Sequence, residues 1–150
     1  MRCSRLLLPL VFMIASGFVL GQTQPKTVSA PPSAQAAKAT AAYAEVALKR
    51  ADVEAELEAL LIDYTDDFPK VKELKYELSR IEGESVRLNA IKAAEREKAT
   101  AALGKLMVRK VEAEVDLWKV QQDYADAHPE VKRAKKKVEI FEKAIKEILG

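Results

Sequence analysis

Asp63-Tyr64-Thr65-Asp66-Asp67-Phe68-Pro69-Lys70-Val71-Lys72 returns sixty residues later as Asp123-Tyr124-Ala125-Asp126-Ala127-His128-Pro129-Glu130-Val131-Lys132. The flanks repeat as well. Val53-Glu54-Ala55-Glu56 recurs as Val111-Glu112-Ala113-Glu114, two residues out of step, and Val71, Leu74, Leu78, Ile81 and Leu88 recur as Val131, Ala134, Val138, Phe141 and Ile148. An internal repeat defines the structural unit. Here the unit reads as helix, short proline turn, helix. The residue before a proline is pushed out of helical geometry, so the first helix ends before Phe68. Pro69 then suits the first turn of the next helix, where its missing N–H costs nothing. Asp66 or Asp67, and Asp126 in the second copy, are candidate caps for the free amides.

Apolar residues outside the tips fall at three- and four-residue steps, the spacing of one helix face. Val53, Leu57 and Leu60 form the seam before the first turn, and Val71, Leu74, Leu78, Ile81 and Leu88 the seam after it. Val111, Val115 and Trp118 precede the second turn, and Val131, Val138, Phe141, Ile145 and Ile148 follow it. Between Leu88 and Met107 the chain is rich in alanine and free of proline, which favours one continuous helix over about residues 70–123. A break near Gly104 would instead give two hairpins packed as a four-helix bundle. The expected fold is all-α: elongated antiparallel coiled-coil hairpins, two tandem helix-turn-helix repeats sharing a long central helix. The domain occupies residues 34–150, with repeats at about 34–95 and 96–150, and its first helix runs from Ala34 to Tyr64. Burying each large seam residue contributes roughly 1.5–3 kcal/mol. On that ground an Asp at both Val138 and Phe141 is expected to lower the melting midpoint.

Residues 1–21 read as a secretory signal cleaved near Gly21: Arg2 and Arg5 precede an apolar run from Leu6 to Leu20, with small residues at the end. Residues 22–33, with Pro25, Pro31 and Pro32, read as a disordered linker. The signal holds two of the 25 basic residues and none of the 23 acidic ones, so the remainder carries 23 of each and is formally neutral. Nucleic-acid binding gains no support from that balance. Cys3 falls inside the signal, leaving no cysteine beyond it.

Chemistry is sparse. His128 is the sole histidine, too little for a metal centre. The acidic tips lack the alternating oxygen ligands and glycine of a calcium loop. There is no Gly-rich phosphate loop and no nucleophile arrangement. The expectation is a non-enzyme with no cofactor and no metal. The hairpin tips Tyr64, Phe68, Pro69, Tyr124, His128 and Pro129 are candidate recognition points. Lys132, Arg133, Lys135, Lys136 and Lys137 form a basic run able to touch an anionic surface.

Tyr124-Ala125-Asp126-Ala127-His128-Pro129-Glu130-Val131, followed by heptad apolars, resembles the Tyr-x-x-x-His-Pro-x-Val signature of the periplasmic coiled coils of polysaccharide co-polymerases. These are the chain-length determinant and exopolysaccharide export proteins of bacterial envelopes. The first copy, Tyr64 to Val71, resembles it with Phe68 in place of histidine. The resemblance covers about residues 53–88 and 111–148 and implies an envelope location and a helical interaction module. Members carry two membrane spans, and some a cytoplasmic kinase domain. Neither is seen in these 150 residues, so chain-length control is not implied.

The expected function is therefore that of an exported coiled-coil protein of the bacterial envelope, a protein-protein interaction or structural module with a possible link to polysaccharide export. Its partner would be itself or another helical envelope protein, with no nucleic acid and no small-molecule substrate. One alternative is a periplasmic holdase-type chaperone. Another is a coiled-coil protein held to the inner membrane by an uncleaved signal, in which case alone it would contact the membrane.

Overall fold

Thr40 and Thr100 open the two long hairpins. Each hydroxyl oxygen accepts a hydrogen bond from the amide three residues on, Tyr43 and Leu103, both at 3.3 Å. A threonine so placed satisfies one of the free donors at a helix start. The computed structural model describes residues 32–150, with side chains from residue 35. The elements are α1 (Pro32–Lys38), α2 (Ala41–Asp63), α3 (Pro69–Asn89), a 3-10 helix (Ala93–Lys98), α4 (Ala101–Asp123) and α5 (Pro129–Leu149). Among the described residues there is no strand, and no helix is long and apolar enough to cross a membrane. The all-α expectation holds. The signal read at residues 1–21 and most of the linker lie outside the described residues, and α1 begins inside the stretch read as linker.

Two expected helices are divided. The first, read from Ala34 to Tyr64, breaks at Ala39-Thr40, between α1 and α2. The long central helix over 70–123 does not form: α3 ends at Asn89 and α4 starts after Thr100, whose φ of −76° and ψ of 165° are extended. Alanine propensity is a weak prior that tertiary context overrides. No residue of the 3-10 helix is buried, so a continuous rod there would have gained little from packing. Gly104, the expected break point, lies inside α4.

What forms instead is a repeat at a strict interval of sixty. Helix α2 and α4 each span 23 residues, α3 and α5 each 21, and their bounds differ by sixty throughout. The capping threonines obey the same interval, and α1 corresponds to the 3-10 helix. The Val-Glu-Ala-Glu echo, offset by two, therefore does not join equivalent positions: Val53 corresponds to Ala113 and Ala51 to Val111. Helix α4 packs against both α2 and α3, and α5 packs on α4. This is how one hairpin stacks on the next in a helical repeat array. Residues buried along the junction include Val46, Val53, Leu74, Ile81, Leu103, Met107 and Val111.

Two glycines interrupt helices, with opposite consequences. A Cβ on Gly83 would meet nothing within 4 Å. Mid-helix glycine is less favourable than alanine by about 1 kcal/mol. Gly83→Ala should therefore raise stability by about 0.5–1 kcal/mol in chemical denaturation. Gly104 is the reverse: a Cβ there would lie 2.6 Å from the Ala42 carbonyl oxygen and 2.8 Å from Ala42 Cα. The glycine is what lets α4 approach α2, and the amide of Ala42 also donates to the carbonyl of Ala99 at 3.1 Å.

Candidate interaction surfaces

Each hairpin turns on an aromatic pair. Tyr64 and Tyr124 end the outgoing helices in extended geometry, φ −125°, ψ 153° and φ −131°, ψ 142°. Phe68 and His128 precede the prolines with φ −62°, ψ 131° and φ −64°, ψ 141°. Tyr64 stacks on Phe68 with centroids 4.1 Å apart and planes at 16°. Tyr124 stacks on His128 at 4.1 Å and 15°. The two turns share one backbone form and one ring stack, although Phe and His differ in polarity. Pro69 and Pro129 each begin the following helix.

The expected caps are corrected. No side chain caps α3 at Phe68; α5 is capped by His128, whose Nδ1 accepts from the Glu130 amide at 3.3 Å. The aspartates pair with lysines further along instead. Asp66 lies 2.7 Å from Lys75 and Asp126 lies 2.9 Å from Lys135, again sixty apart. Asp67 meets Lys72 at 3.0 Å. Hydrogen bonds from Lys135 and Gln121 hold the Asp126 carboxyl below its ordinary pKa. Each of these aspartates has a lysine within 3.0 Å, and Asp126 also accepts from the side-chain amide of Gln121 at 3.2 Å.

Both tips stand at the same end of the molecule. Lys119, near the end of α4, lies 3.7 Å from Glu73 near the start of α3. Trp118 stacks on Tyr76 with centroids 5.3 Å apart. A groove there is lined by Phe68, Pro69, Lys70, Trp118, Gln122 and Asp123, so the first tip and the end of α4 form one surface. Tyr64 and Tyr124 remain 46% and 44% exposed.

The second feature is one that sequence reasoning missed: a cluster of ionic side chains between α3, α4 and α5, with Glu84, Lys110 and Glu114 buried and Arg80, Arg87 and Glu142 partly exposed. Lys110 Nζ lies 2.5 Å from Glu84, 3.3 Å from Glu114 and 3.4 Å from Glu142. Arg80 grips Glu114 with two bonds of 2.8 and 2.7 Å. Arg87 donates to Glu142 at 3.0 Å. Three acids meet three bases, and Lys146, 69% exposed, adds a fourth base 3.5 Å from Glu142. Burial pushes the Glu114 carboxyl upward, but the hydrogen bond from Arg80 and the charge of Lys110 more than offset it, and its pKa falls below the ordinary value. Glu142 is lowered in the same way, burial being overcome by Arg87. Burial lowers Lys110, yet the bond and charge of Glu84 raise it overall. In sequence these residues look like ordinary helix-surface charges. Only the spacing Glu84, Glu77 on the apolar stripe of α3 hinted that they face inward.

The residues read as seam divide by burial. Val53, Leu57, Val71, Leu74, Ile81, Leu88, Val111, Val115, Val131 and Ile145 are buried. Leu60, Leu78 and Ile148 are partly buried against the core. Trp118 is partly exposed and packs on Tyr76. Val138 and Phe141 are also partly exposed, because α5 lies at the edge of the stack and its far side has no helix on it. The basic run is spread around α5 rather than gathered on one face. Lys132, Arg133, Lys136 and Lys137 are exposed and Lys135 is half-buried. Several hold acids within reach: Arg133 with Glu130, Lys136 with Glu139, Lys137 with Asp116. No group of three or more His, Cys, Asp or Glu among the described residues could hold a metal.

Comparison of the chain with protein-family models, with characterised proteins and with solved structures finds no match.

Proposed function

We propose that this protein is an exported, non-enzymatic helical module of a bacterial envelope that docks another helical protein through its hairpin tips. The observation that carries the reading is the pair of stacked, half-exposed aromatic tips placed at one end. Aromatic rings with an apolar body and a polar edge are favoured anchors at protein interfaces. A groove between Phe68 and Trp118 supplies a recess for a partner's apolar side chain. The charged groups between the helices are paired with one another and serve register rather than chemistry. Coiled-coil packing of each hairpin and a link to polysaccharide export belong to the same proposal, supported by the heptad spacing and the Tyr124-to-Val131 motif.

Photo-crosslinking in cells from a probe replacing Phe68 or His128 tests it. One discrete adduct of defined mass is the expected result. A smear of many adducts would favour a holdase instead. Silence from both positions would refute docking at the tips. The size of the protein recovered from the same cells reports whether residues 1–21 have been removed.

A further inference from the structure

We propose that the stack continues from one copy of the chain to the next, with α2 of a second copy seated on the outer face of α4 and α5. This inference goes beyond docking at the tips: it uses other faces of the molecule and stands or falls apart from that reading.

The template is inside the molecule. Helix α4 docks on the first hairpin through Lys110, Glu114, Trp118 and Lys119, which meet Glu84, Arg80, Tyr76 and Glu73 of α3. Sixty residues after that α3 surface stand Arg133, Lys136, Ile140 and Ala144 on α5. No helix covers them: Ile140 is 58% exposed, and the Arg133 and Lys136 side chains are 78% and 71% exposed. Sixty residues before the docking face of α4 lies the outer face of α2. There Ile62 is 82% exposed and Leu48, which also borders Lys105 and Val108 of its own α4, is 62% exposed, on a face otherwise made of alanines with Glu54, Glu58 and Arg50, which donates to Glu54 at 2.7 Å. The three most exposed aliphatic side chains on α2 and α5 thus fall on the two surfaces that the repeat would bring together.

Charge complements shape. On the two faces Glu54 and Glu58 with Arg50, one net negative charge, meet Arg133 and Lys136, two positive ones; over the whole helices α2 is net −4 and α5 net +3. In the register of the internal contact Glu58 of the second copy would face Lys136, as Trp118 faces Tyr76, and Ala59 would face Arg133; Ala44 stands where α4 has Gly104, so the second copy sits farther from Ala102 than α4 sits from Ala42. Terminal repeats of a closed array carry polar outer faces, and these two faces do not have that character throughout. A contact between two different faces of the same protein is heterologous, so it builds an open series or a ring rather than a two-fold dimer.

Sedimentation of the full chain over a range of concentrations tests the inference. The weight-average mass should climb past twice the chain mass and fall as salt is added. Arg133→Glu with Lys136→Glu, and separately Glu54→Lys with Glu58→Lys, should each weaken association on the order of tenfold or more. Helicity should be unchanged, since these side chains are on the surface. Mixing the two variants restores opposite charges at the contact and should restore the mass. A wild-type chain that stays monomeric at millimolar concentration overturns the proposal. So does a mass that plateaus at two copies and ignores both variants. Tip adducts from a chain that stays monomeric would sink this inference and leave the docking reading standing; assembly with silent tips would do the opposite.

Discussion

Replacing Lys110 with alanine is expected to cost about 3 kcal/mol or more, the scale of breaking a buried ion pair. The ammonium is 11% exposed and serves three carboxylates on three helices. Removing it leaves Glu114 to Arg80 and Glu142 to Arg87 and the exposed Lys146, while Glu84 keeps only a 3.9 Å contact with Arg87. Glu84 suffers most, since its side chain is 5% exposed and Lys110 is its closest partner. Urea unfolding followed by circular dichroism measures the loss. The double replacement Lys110→Met with Glu84→Leu should recover much of it, because removing both charges removes the desolvation penalty with them. A loss for Lys110→Ala within about 0.5 kcal/mol, the range of ordinary surface substitutions, would show that the cluster does not hold the junction.

The pH dependence has a definite sign. Glu114 and Glu142 have lowered pKa values in the folded state, so their contribution is present above the ordinary glutamate value of about 4.3 and fades as pH falls through the folded values. Lys110 is raised, so its contribution is present below the ordinary lysine value of about 10.4 and fades as pH climbs through the folded one. Without Lys110, Glu114 and Glu142 lose one of the cations that lower them and take up protons more readily. The penalty of Lys110→Ala should therefore shrink when the solution is made acidic.

Gly104→Leu is expected to cost about 3 kcal/mol or more, beyond the usual 1–3 kcal/mol of overpacking. The first added carbon already lies 2.6 Å from a backbone oxygen and 2.8 Å from Glu45 Cβ. Backbone cannot rotate away as a side chain can, so α2 and α4 must separate. That movement opens the contact beside Leu103 and Met107, both fully buried. Gly104→Ala should be milder, since the helix propensity gained, about 1 kcal/mol, offsets part of the clash. Melting the two variants beside Gly83→Ala checks the argument: two mid-helix glycines should respond with opposite signs. Tolerance of leucine at position 104 would mean that the helices do not cross there.

The helix-turn-helix unit was legible from residues alone. Proline after an extended residue, and apolar spacing of three and four, are local rules, and the turns at Thr65–Pro69 and Ala125–Pro129 obey them. The interval of sixty was also written in the chain, though the Val-Glu-Ala-Glu echo pointed to fifty-eight at one place. Local rules failed where two weak preferences competed. Alanines from 93 to 102 favour a helix, but Thr100 could cap a new one, and nothing local said that residues 90–100 would have no core to lie on.

What the sequence determined by itself is the unit: two hairpins, each with a Tyr-aromatic-Pro tip, because chain stiffness and side-chain periodicity act within a few residues. The tertiary structure alone decided which faces meet. Once α4 lay across α2 and α3, Gly104 became a crossing point, Lys110 and Glu84 became buried partners, and α5 was left at the edge with Val138 and Phe141 half-covered. Those outcomes depend on distances between residues 26 to 62 positions apart, and no pattern along a single helix contains them.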